Sequence, residues 1–274
     1  MQILRRSLLA AALALAGTPS FATELQVEPL VIGESLKLDS KVLAETRRIN
    51  VYLPAGYAEQ PNARFPVMLM PDGGLAEDFL HLAGLLQVSM ANGTMRPFIL
   101  VGIENTERRR DLTGPTEQAS DRKIAPRVGG SAAFRQFIRE ELMPAIKARY
   151  RTTNESALIG ESLAGLFVVE TWALEPQLFD HYIAFDPSLW WNKEALTTTL
   201  KTRLRYAPLP PKPLYIANSS EPTIYAPVRR FIAVLKDAKL KGWQHEAMPA
   251  ETHATIYHPA ALKALRLLFK PAKP

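Results

Sequence analysis

The chain has no cysteine, no long hydrophobic run and little excess of charge, and each absence excludes a class of protein. Without cysteine among its 274 residues it has no disulfide, no thiolate metal site and no lipid attached through sulfur. The apolar segment at residues 8–17 is about ten residues long, whereas a membrane-spanning helix needs about 20. The net charge is only +6, and the basic residues are scattered along the chain except for the cluster at 107–111. No run of basic residues is interleaved with aromatic residues, as a nucleic-acid-binding surface would be. We therefore expect neither a nucleic-acid partner nor stable insertion in a membrane.

The N-terminus has the pattern of a secretory leader. A basic pair, Arg5 and Arg6, precedes the apolar segment, and small residues follow as far as Ala22. We predict a signal peptide over residues 1–22 and a single domain over residues 23–274, located in the periplasm or secreted. The arginine pair leaves the general secretory route and the twin-arginine route both open.

Strand-like and helix-like segments alternate along the rest of the chain. Runs of β-branched and apolar residues predict strands at 47–53, 66–70, 97–103, 156–160, 182–186, 214–217 and 243–248. Helical periodicity predicts helices at 76–91, 131–149, 163–174, 224–240 and 259–269. This alternation predicts an α/β fold, with a mostly parallel central sheet and helices on both faces. Ligands bind to such sheets beyond the carboxyl ends of the strands.

A short apolar strand turns abruptly into an apolar helix at residues 156–165, SALIGESLAG. Gly160 and Ala164 are small neighbours of Ser162, as a tight and strained turn requires. The pattern is typical of a nucleophile elbow, which presents a serine hydroxyl above the sheet. The amide of Leu163, at the start of the helix, would then face a developing oxyanion.

A serine hydroxyl becomes a strong nucleophile when a base removes its proton, and in this kind of fold the base follows the last strand. His253 lies on the loop between the last predicted strand and the last predicted helix. His258, just before Pro259, is the alternative. The remaining histidines lie elsewhere in the predicted fold: His81, His181 and His245.

The acid that would orient the imidazole has two candidates. Glu221 follows the predicted strand 214–217 and is the choice by position, whereas Glu251 lies two residues before the histidine. The spacing of Glu251, His253 and His258 matches no common zinc pattern, so we expect no metal site and no other cofactor.

A second oxyanion donor is expected from the loop after strand 66–70, where Gly73 and Gly74 let the backbone approach a bound carbonyl. Two connections, 104–130 and 187–213, are longer than the fold requires and are interpreted as walls of a substrate cleft. The second carries the pair Trp190 and Trp191. These indoles either line the cleft or pack the segment onto the body of the domain.

Six blocks of the sequence together resemble the putative-esterase family of α/β hydrolases, which includes the siderophore esterases, esterase D and the mycolyltransferases. The blocks cover residues 51–57, 66–73, 101–113, 160–165, 186–191 and 251–253. The resemblance implies an α/β-hydrolase fold with Ser162 as nucleophile, His253 as base and an oxyanion hole formed by the amides of Gly74 and Leu163. Members of the family differ in the acid, and some use only serine and histidine. The resemblance also implies residues that shape the substrate side: Asp72, Arg110, Asp111 and Trp190.

These observations predict a serine esterase that cleaves carboxylic esters of small molecules through an acyl-enzyme, with siderophore-type or aromatic esters as substrates. An acyltransferase or a peptidase could use the same residues. A third alternative is an inactive module that keeps the fold to bind a ligand. The presence of a nucleophile beside a base, Ser162 and His253, favours an enzyme.

Overall fold

A central sheet of eight strands organises the computed structural model, which describes residues 25–207 and 209–271. The predicted signal peptide, residues 1–22, lies outside the described residues. Residues 25–31 have no regular secondary structure, and residues from 32 onward group into one compact unit. None of the helices in the described part of the chain has the length and apolar character needed to cross a membrane.

The strands are β1 Glu34–Ser40, β2 Glu45–Tyr52, β3 Phe65–Pro71, β4 Ile99–Ile103, β5 Thr152–Glu161, β6 His181–Phe185, β7 Leu214–Asn218 and β8 Trp243–Ala247. The helices are α1 Phe79–Ala91, α2 Arg108–Asp111, α3 Ala119–Arg122, α4 Ser131–Phe137, α5 Met143–Arg149, α6 Leu163–Leu174, α7 Trp191–Arg203, α8 Pro222–Asp237 and α9 Tyr257–Leu268. A π-helical segment, Ile138–Leu142, joins α4 to α5, so these three elements together form the single helix predicted over 131–149.

The strands lie in the order β1-β2-β4-β3-β5-β6-β7-β8. All strands from β4 to β8 in this order run parallel, whereas β1 and β2 are antiparallel to their neighbours. This confirms the predicted α/β fold with a mostly parallel sheet. All seven predicted strands are present, and β1 is an additional edge strand.

Side chains of β3 alternate between two cores, as the two-residue period of a strand dictates. Val67 and Leu69 belong to the core that also contains the buried faces of α4, α5, α6 and α8. Met68 and Met70 belong to the core with α1 and α9. Helices therefore cover both faces of the sheet.

The topology places three loops side by side. Strands β5, β6 and β7 are adjacent and parallel, so their carboxyl ends meet at one edge of the sheet. Ser162, Asp186 and Ser219 each follow directly on one of these ends. The candidate site forms at this edge, as expected for a parallel sheet.

The two long connections contact one another beside that edge. The Trp191 indole N–H donates to the Gly114 carbonyl at 2.8 Å, and the backbone N–H of Asn192 donates to Asp121 Oδ2 at 3.0 Å. Residues 192–194 have left-handed backbone torsions, with φ between 48° and 62°, so the chain kinks at the beginning of α7. The kink brings Glu194 to face α8, where it pairs with Arg230.

Candidate active site

Ser162 occupies the sharp turn between β5 and α6, with a φ of 61° and a ψ of −119°. Its backbone N–H donates to the Phe185 carbonyl at 3.0 Å, which fixes the turn to the end of β6. Gly160 has no room for a side chain, because a Cβ there would lie 2.7 Å from the Cβ of Ala164. The small residues around Ser162 are therefore required by the close approach of strand and helix, as the elbow pattern predicts.

His253 lies on the loop between β8 and α9 and reaches Ser162 from above the sheet. Its Nε2 is 3.1 Å from Ser162 Oγ, so the serine hydroxyl can donate to the imidazole. Its Nδ1 is 3.0 Å from Asp186 Oδ2. With the ring proton on Nδ1 donating to Asp186, Nε2 is free to accept the serine proton.

Asp186 is the carboxylate that holds the histidine. It is completely buried, and it also accepts hydrogen bonds from the Ser219 amide and the Ser219 hydroxyl, both at 2.6 Å. These two donors fix the position of the carboxylate beside the imidazole. The hydrogen bond to Asp186 raises the pKa of His253 above its usual value, with a further contribution from the charge of Glu161 and against the effect of burial.

The structure does not bring Glu221, the predicted acid, into hydrogen-bond contact with His253, whose Nδ1 contacts Asp186 instead. Glu221 lies at the N-terminus of α8, where its Oε1 accepts from the Thr223 hydroxyl at 3.2 Å rather than from His253. Glu251 is also turned away, because its Oε2 accepts from Thr255 at 2.7 Å. The loop after β7 contributes Ser219, which hydrogen-bonds to Asp186. The carboxylate that contacts His253 comes from the end of the preceding strand, β6.

The other histidines are engaged elsewhere. His258 Nδ1 lies 3.1 Å from His81 Nε2, and their rings stack with centroids 5.2 Å apart. His181 contacts Glu155 at 2.9 Å, and His245 contacts Asn218 at 2.7 Å. The structure therefore brings His253, and not its rival His258, to Ser162.

The two predicted oxyanion donors differ in their availability. Leu163 is the first residue of α6, a position whose N–H has no partner within the helix. The Gly74 N–H instead donates to Glu77 Oε2 at 2.6 Å, and Glu77 Oε1 accepts from the Asn105 side chain at 2.8 Å. The expectation of a free donor at Gly74 is thus not met in this structure, because a carboxylate three residues along the chain already occupies it.

Arg110 and Asp111, which the resemblance assigns to the substrate side, tie α2 to the sheet. Asp111 is completely buried and pairs with the equally buried Arg47 of β2 at 2.6 Å. Arg110 is held by Asp111 at 2.6 Å and by Glu45 at 2.7 Å. These ion pairs hold both side chains against the sheet, and their place beside the substrate stays a prediction.

Asp72 and Arg108 lie closer to the candidate site. Asp72, with a φ of 56°, accepts two hydrogen bonds from the Arg108 guanidinium, both at 2.7 Å. Arg108 is also near enough to Glu161 for their charges to attract each other. Arg108, two residues before Arg110, is thus the arginine that pairs with Asp72.

A cavity of about 730 Å³ opens beside Ser162 and His253. Trp190 forms part of its wall, together with the first two turns of α8 and the pair of Glu194 and Arg230. Trp191 is buried and takes no part in the cavity. The two tryptophans thus divide between the two alternatives: Trp190 lines the cleft and Trp191 packs the connection onto the body.

Glu161 is a site residue that the sequence did not single out. Its Oε1 lies 3.2 Å from His253 Nδ1, on the same side of the ring as Asp186. The sequence signal that could have identified it is its position immediately before Ser162. A charged side chain at that position lies close to the serine.

Comparison with known proteins places the chain among esterases. A family model described as putative esterase matches residues 40–255. The chain is 32% identical over 163 residues to ferri-bacillibactin esterase BesA of Bacillus subtilis, covering 54% of this chain and 56% of that protein. An IroE-like serine hydrolase from Shewanella oneidensis superimposes with a TM-score of 0.77 and 31% identity, covering 87% of this chain and 80% of that one. The BES protein from Bacillus cereus has the same fold, with a TM-score of 0.75 and 22% identity over 93% of this chain and 100% of that chain. The chain spans about half the length of the curated relatives it matches, or less.

Proposed function

The chain belongs to the putative esterase family, and on that premise we propose that it is a serine hydrolase that cleaves carboxylic esters through an acyl-enzyme. One observation carries the proposal: Ser162 Oγ, His253 Nε2, His253 Nδ1 and Asp186 Oδ2 form a continuous hydrogen-bonded chain, with steps of 3.1 Å and 3.0 Å on the two sides of the imidazole. Serine, histidine and aspartate in this arrangement constitute the machinery of acyl transfer.

In the proposed reaction, Ser162 Oγ attacks the ester carbonyl carbon while His253 Nε2 takes its proton. Asp186 keeps the imidazole in the tautomer that can accept this proton and stabilises the imidazolium that results. The Leu163 N–H, at the positive end of the α6 dipole, is the proposed donor to the oxyanion. The imidazolium then protonates the leaving alcohol, and a water molecule, activated by the same base, releases the acid.

The wall of the cavity supports an aromatic substrate, in keeping with a siderophore-type ester. Trp190 offers a flat indole, on which catechol or benzoyl groups can stack. Arg230 also lines the cavity, where its guanidinium pairs with Glu194, so an anionic group of the substrate would have to compete with that carboxylate. The relatives named as esterases of ferri-bacillibactin, triacetylfusarinine C and enterobactin make siderophore esters the substrate class to test first.

A panel of p-nitrophenyl esters and ferric catecholate siderophores tests this function. We expect turnover of both classes, with the released acid and alcohol identified by mass spectrometry. Binding of a siderophore without cleavage of any ester would indicate an inactive binding module. Transfer of the acyl group to an added alcohol or amine in preference to water would indicate an acyltransferase, and cleavage of peptides alone would indicate a peptidase.

We also propose that residues 1–22 are a signal peptide and that the mature protein works in the periplasm or outside the cell. The support is the order of basic, apolar and small residues in that segment. Mass spectrometry of the exported protein should give an N-terminus at Thr23. Recovery of the chain beginning at Met1 would refute this processing.

Replacing Trp190 with Ala should raise KM for an aromatic ester by about two- to twelvefold, because stacking of this kind contributes roughly 0.5–1.5 kcal/mol. KM for the corresponding acetate ester should change less than about twofold, since its acyl group carries no ring and the p-nitrophenyl leaving group is common to both esters. Steady-state kinetics on matched p-nitrophenyl benzoate and acetate would measure the difference.

The matched control is Trp191→Ala. Trp191 is buried and hydrogen-bonded to Gly114, so its loss should lower the free energy of unfolding by about 3–5 kcal/mol and affect both esters alike. Equal kinetic losses on both esters in Trp190→Ala, with an equally large loss of stability, would show that Trp190 is structural as well.

A further inference from the structure

Two carboxylates approach the same nitrogen of His253. Asp186 Oδ2 lies 3.0 Å and Glu161 Oε1 lies 3.2 Å from Nδ1. The two acids come from adjacent parallel strands, because Glu161 ends β5 and Asp186 follows β6. A histidine Nδ1 carries a single proton, so only one of the two oxygens can be its principal acceptor.

The two carboxylates differ in how they are held. Asp186 is fixed by two hydrogen bonds from Ser219 and by His253. Glu161 Oε1 is buried, and among the residues that the structure describes it finds no well-directed hydrogen-bond donor. Burying such an oxygen costs free energy unless it interacts with a charge. The cation that can supply this interaction is the His253 imidazolium.

We propose that Glu161 is a positioning residue that acts through His253, as a second carboxylate that stabilises the imidazolium formed when Ser162 attacks. The inference rests on the proposed function. Asp186 holds the ring in its orientation, whereas Glu161 contributes charge at a distance where attraction between opposite charges is strong in a partly buried site. Its contribution is largest in the transition state, because the histidine is neutral before the attack.

The surroundings of Glu161 bring the pKa of its carboxyl close to neutral pH. Burial raises its pKa to about 7, the charges of Asp186 and Asp78 act in the same direction, and those of His253 and Arg108 oppose them. The carboxyl of Asp78, just before α1, has its own pKa raised to about 6, mainly by burial.

Other elements add two groups near this pair. Tyr257, on α9, is partly buried, and burial of its hydroxyl raises its pKa well above the usual value, so it is neutral throughout the working range. Glu221, at the start of α8, adds a weak pull on His253 from the side of the cavity. The ionisation states of His253 and Glu161 therefore influence each other.

The sign of the effect follows from the raised pKa of His253. Protonated His253 cannot accept the serine proton, so activity falls as the pH drops through the pKa of His253. Glu161 helps to raise that pKa, which places the loss of activity at a higher pH. Removing the Glu161 charge should therefore move the loss of activity to a lower pH. It should also make His253 a weaker base.

The test compares Glu161→Gln with the wild-type protein in the pH dependence of kcat/KM on a p-nitrophenyl ester. We expect the acid limb to shift down by about one pH unit, which corresponds to a tenfold change in the ionisation equilibrium of His253. The plateau of kcat should fall about tenfold, because the imidazolium loses a stabilising charge. Glu161→Asp, which keeps the charge on a shorter side chain, should recover part of both losses.

Glu155→Gln is the matched control, since Glu155 lies six residues earlier on β5 and contacts a different histidine, His181. It should leave the acid limb in place. A fall in kcat of Glu161→Gln that is the same at every pH, with the limb unmoved, would show a role in packing only and overturn the proposal. An unchanged profile would overturn it as well.

The rate of fluorophosphonate labelling, followed against pH, reports His253 without any ester substrate. It distinguishes the two failures: a wild-type protein that is not labelled on Ser162 refutes the proposed function, whereas labelling with the same pH midpoint in wild type and Glu161→Gln refutes the role of Glu161 alone. Circular dichroism at each pH confirms that the variants compared are folded.

Discussion

Ser162→Ala is expected to lower kcat by ~10⁴-fold or more while KM changes little, because the members of a catalytic triad act as a unit in the transition state. The hydroxyl supplies the bond to the acyl group, and no other group in the cavity stands at hydrogen-bond distance from His253 Nε2 in the described structure. Steady-state kinetics on the best ester of the panel would measure the loss. A fluorophosphonate should label the wild-type protein once, on Ser162, and the variant not at all.

Ser120→Ala provides the control for this experiment. Ser120 lies on the exposed helix α3, so its removal should leave both labelling and kcat unchanged. Labelling of Ser162→Ala at the rate of the wild type would refute Ser162 as the nucleophile.

His253→Ala should lose as much activity as Ser162→Ala, and Asp186→Asn should lose ~10²–10⁴-fold. An amide at position 186 can donate to Nδ1 and thereby favour the wrong tautomer, in which Nε2 carries the proton and cannot accept one from serine. The Ser219 donors would keep the amide close to the ring, so the expected loss is in kcat rather than in KM. Kinetics combined with thermal melts would separate this loss from a loss of stability.

The carboxylates that were first predicted provide the comparison. Glu221→Gln and Glu251→Gln should each change kcat by no more than a few fold, because neither hydrogen-bonds to His253. Near-normal activity of Asp186→Asn together with collapse of Glu221→Gln would return the role to Glu221. Full activity in all three variants, with loss in His253→Ala, would indicate that serine and histidine suffice.

Features set by local sequence were the most predictable. The elbow at Ser162 could be recognised because an apolar strand, small residues and an apolar helix occur within ten consecutive residues, and His253 because it lies between the last strand and the last helix. β1 was not predicted because its sequence, ESLKLDS, is largely polar and lacks an apolar run. An exposed edge strand tolerates such a sequence.

The acid depended on lateral contacts that sequence order does not reveal. Asp186 and Glu221 both follow parallel strands, and both precede the histidine in the sequence. They differ in a lateral contact, because Ser219, after β7, donates two hydrogen bonds to Asp186. The choice of arginine had a similar origin. In the single turn of α2, Arg108 and Arg110 point in different directions, and only the packing of that turn decides which one meets Asp72.

The contrast between the buried acid and the exposed arginine has a consequence for the medium in which the protein works. Dissolved salt screens charges that lie in water over about 10 Å at 0.1 M, and screens buried charges much less. Arg230 is 56% exposed, whereas Asp186 is enclosed on all sides. Ionic strength should therefore weaken the pair of Arg230 and Glu194 in the cavity wall and change the contact between Asp186 and His253 much less. Salinity thus acts on the wall that receives the substrate more than on the buried carboxylate behind the base.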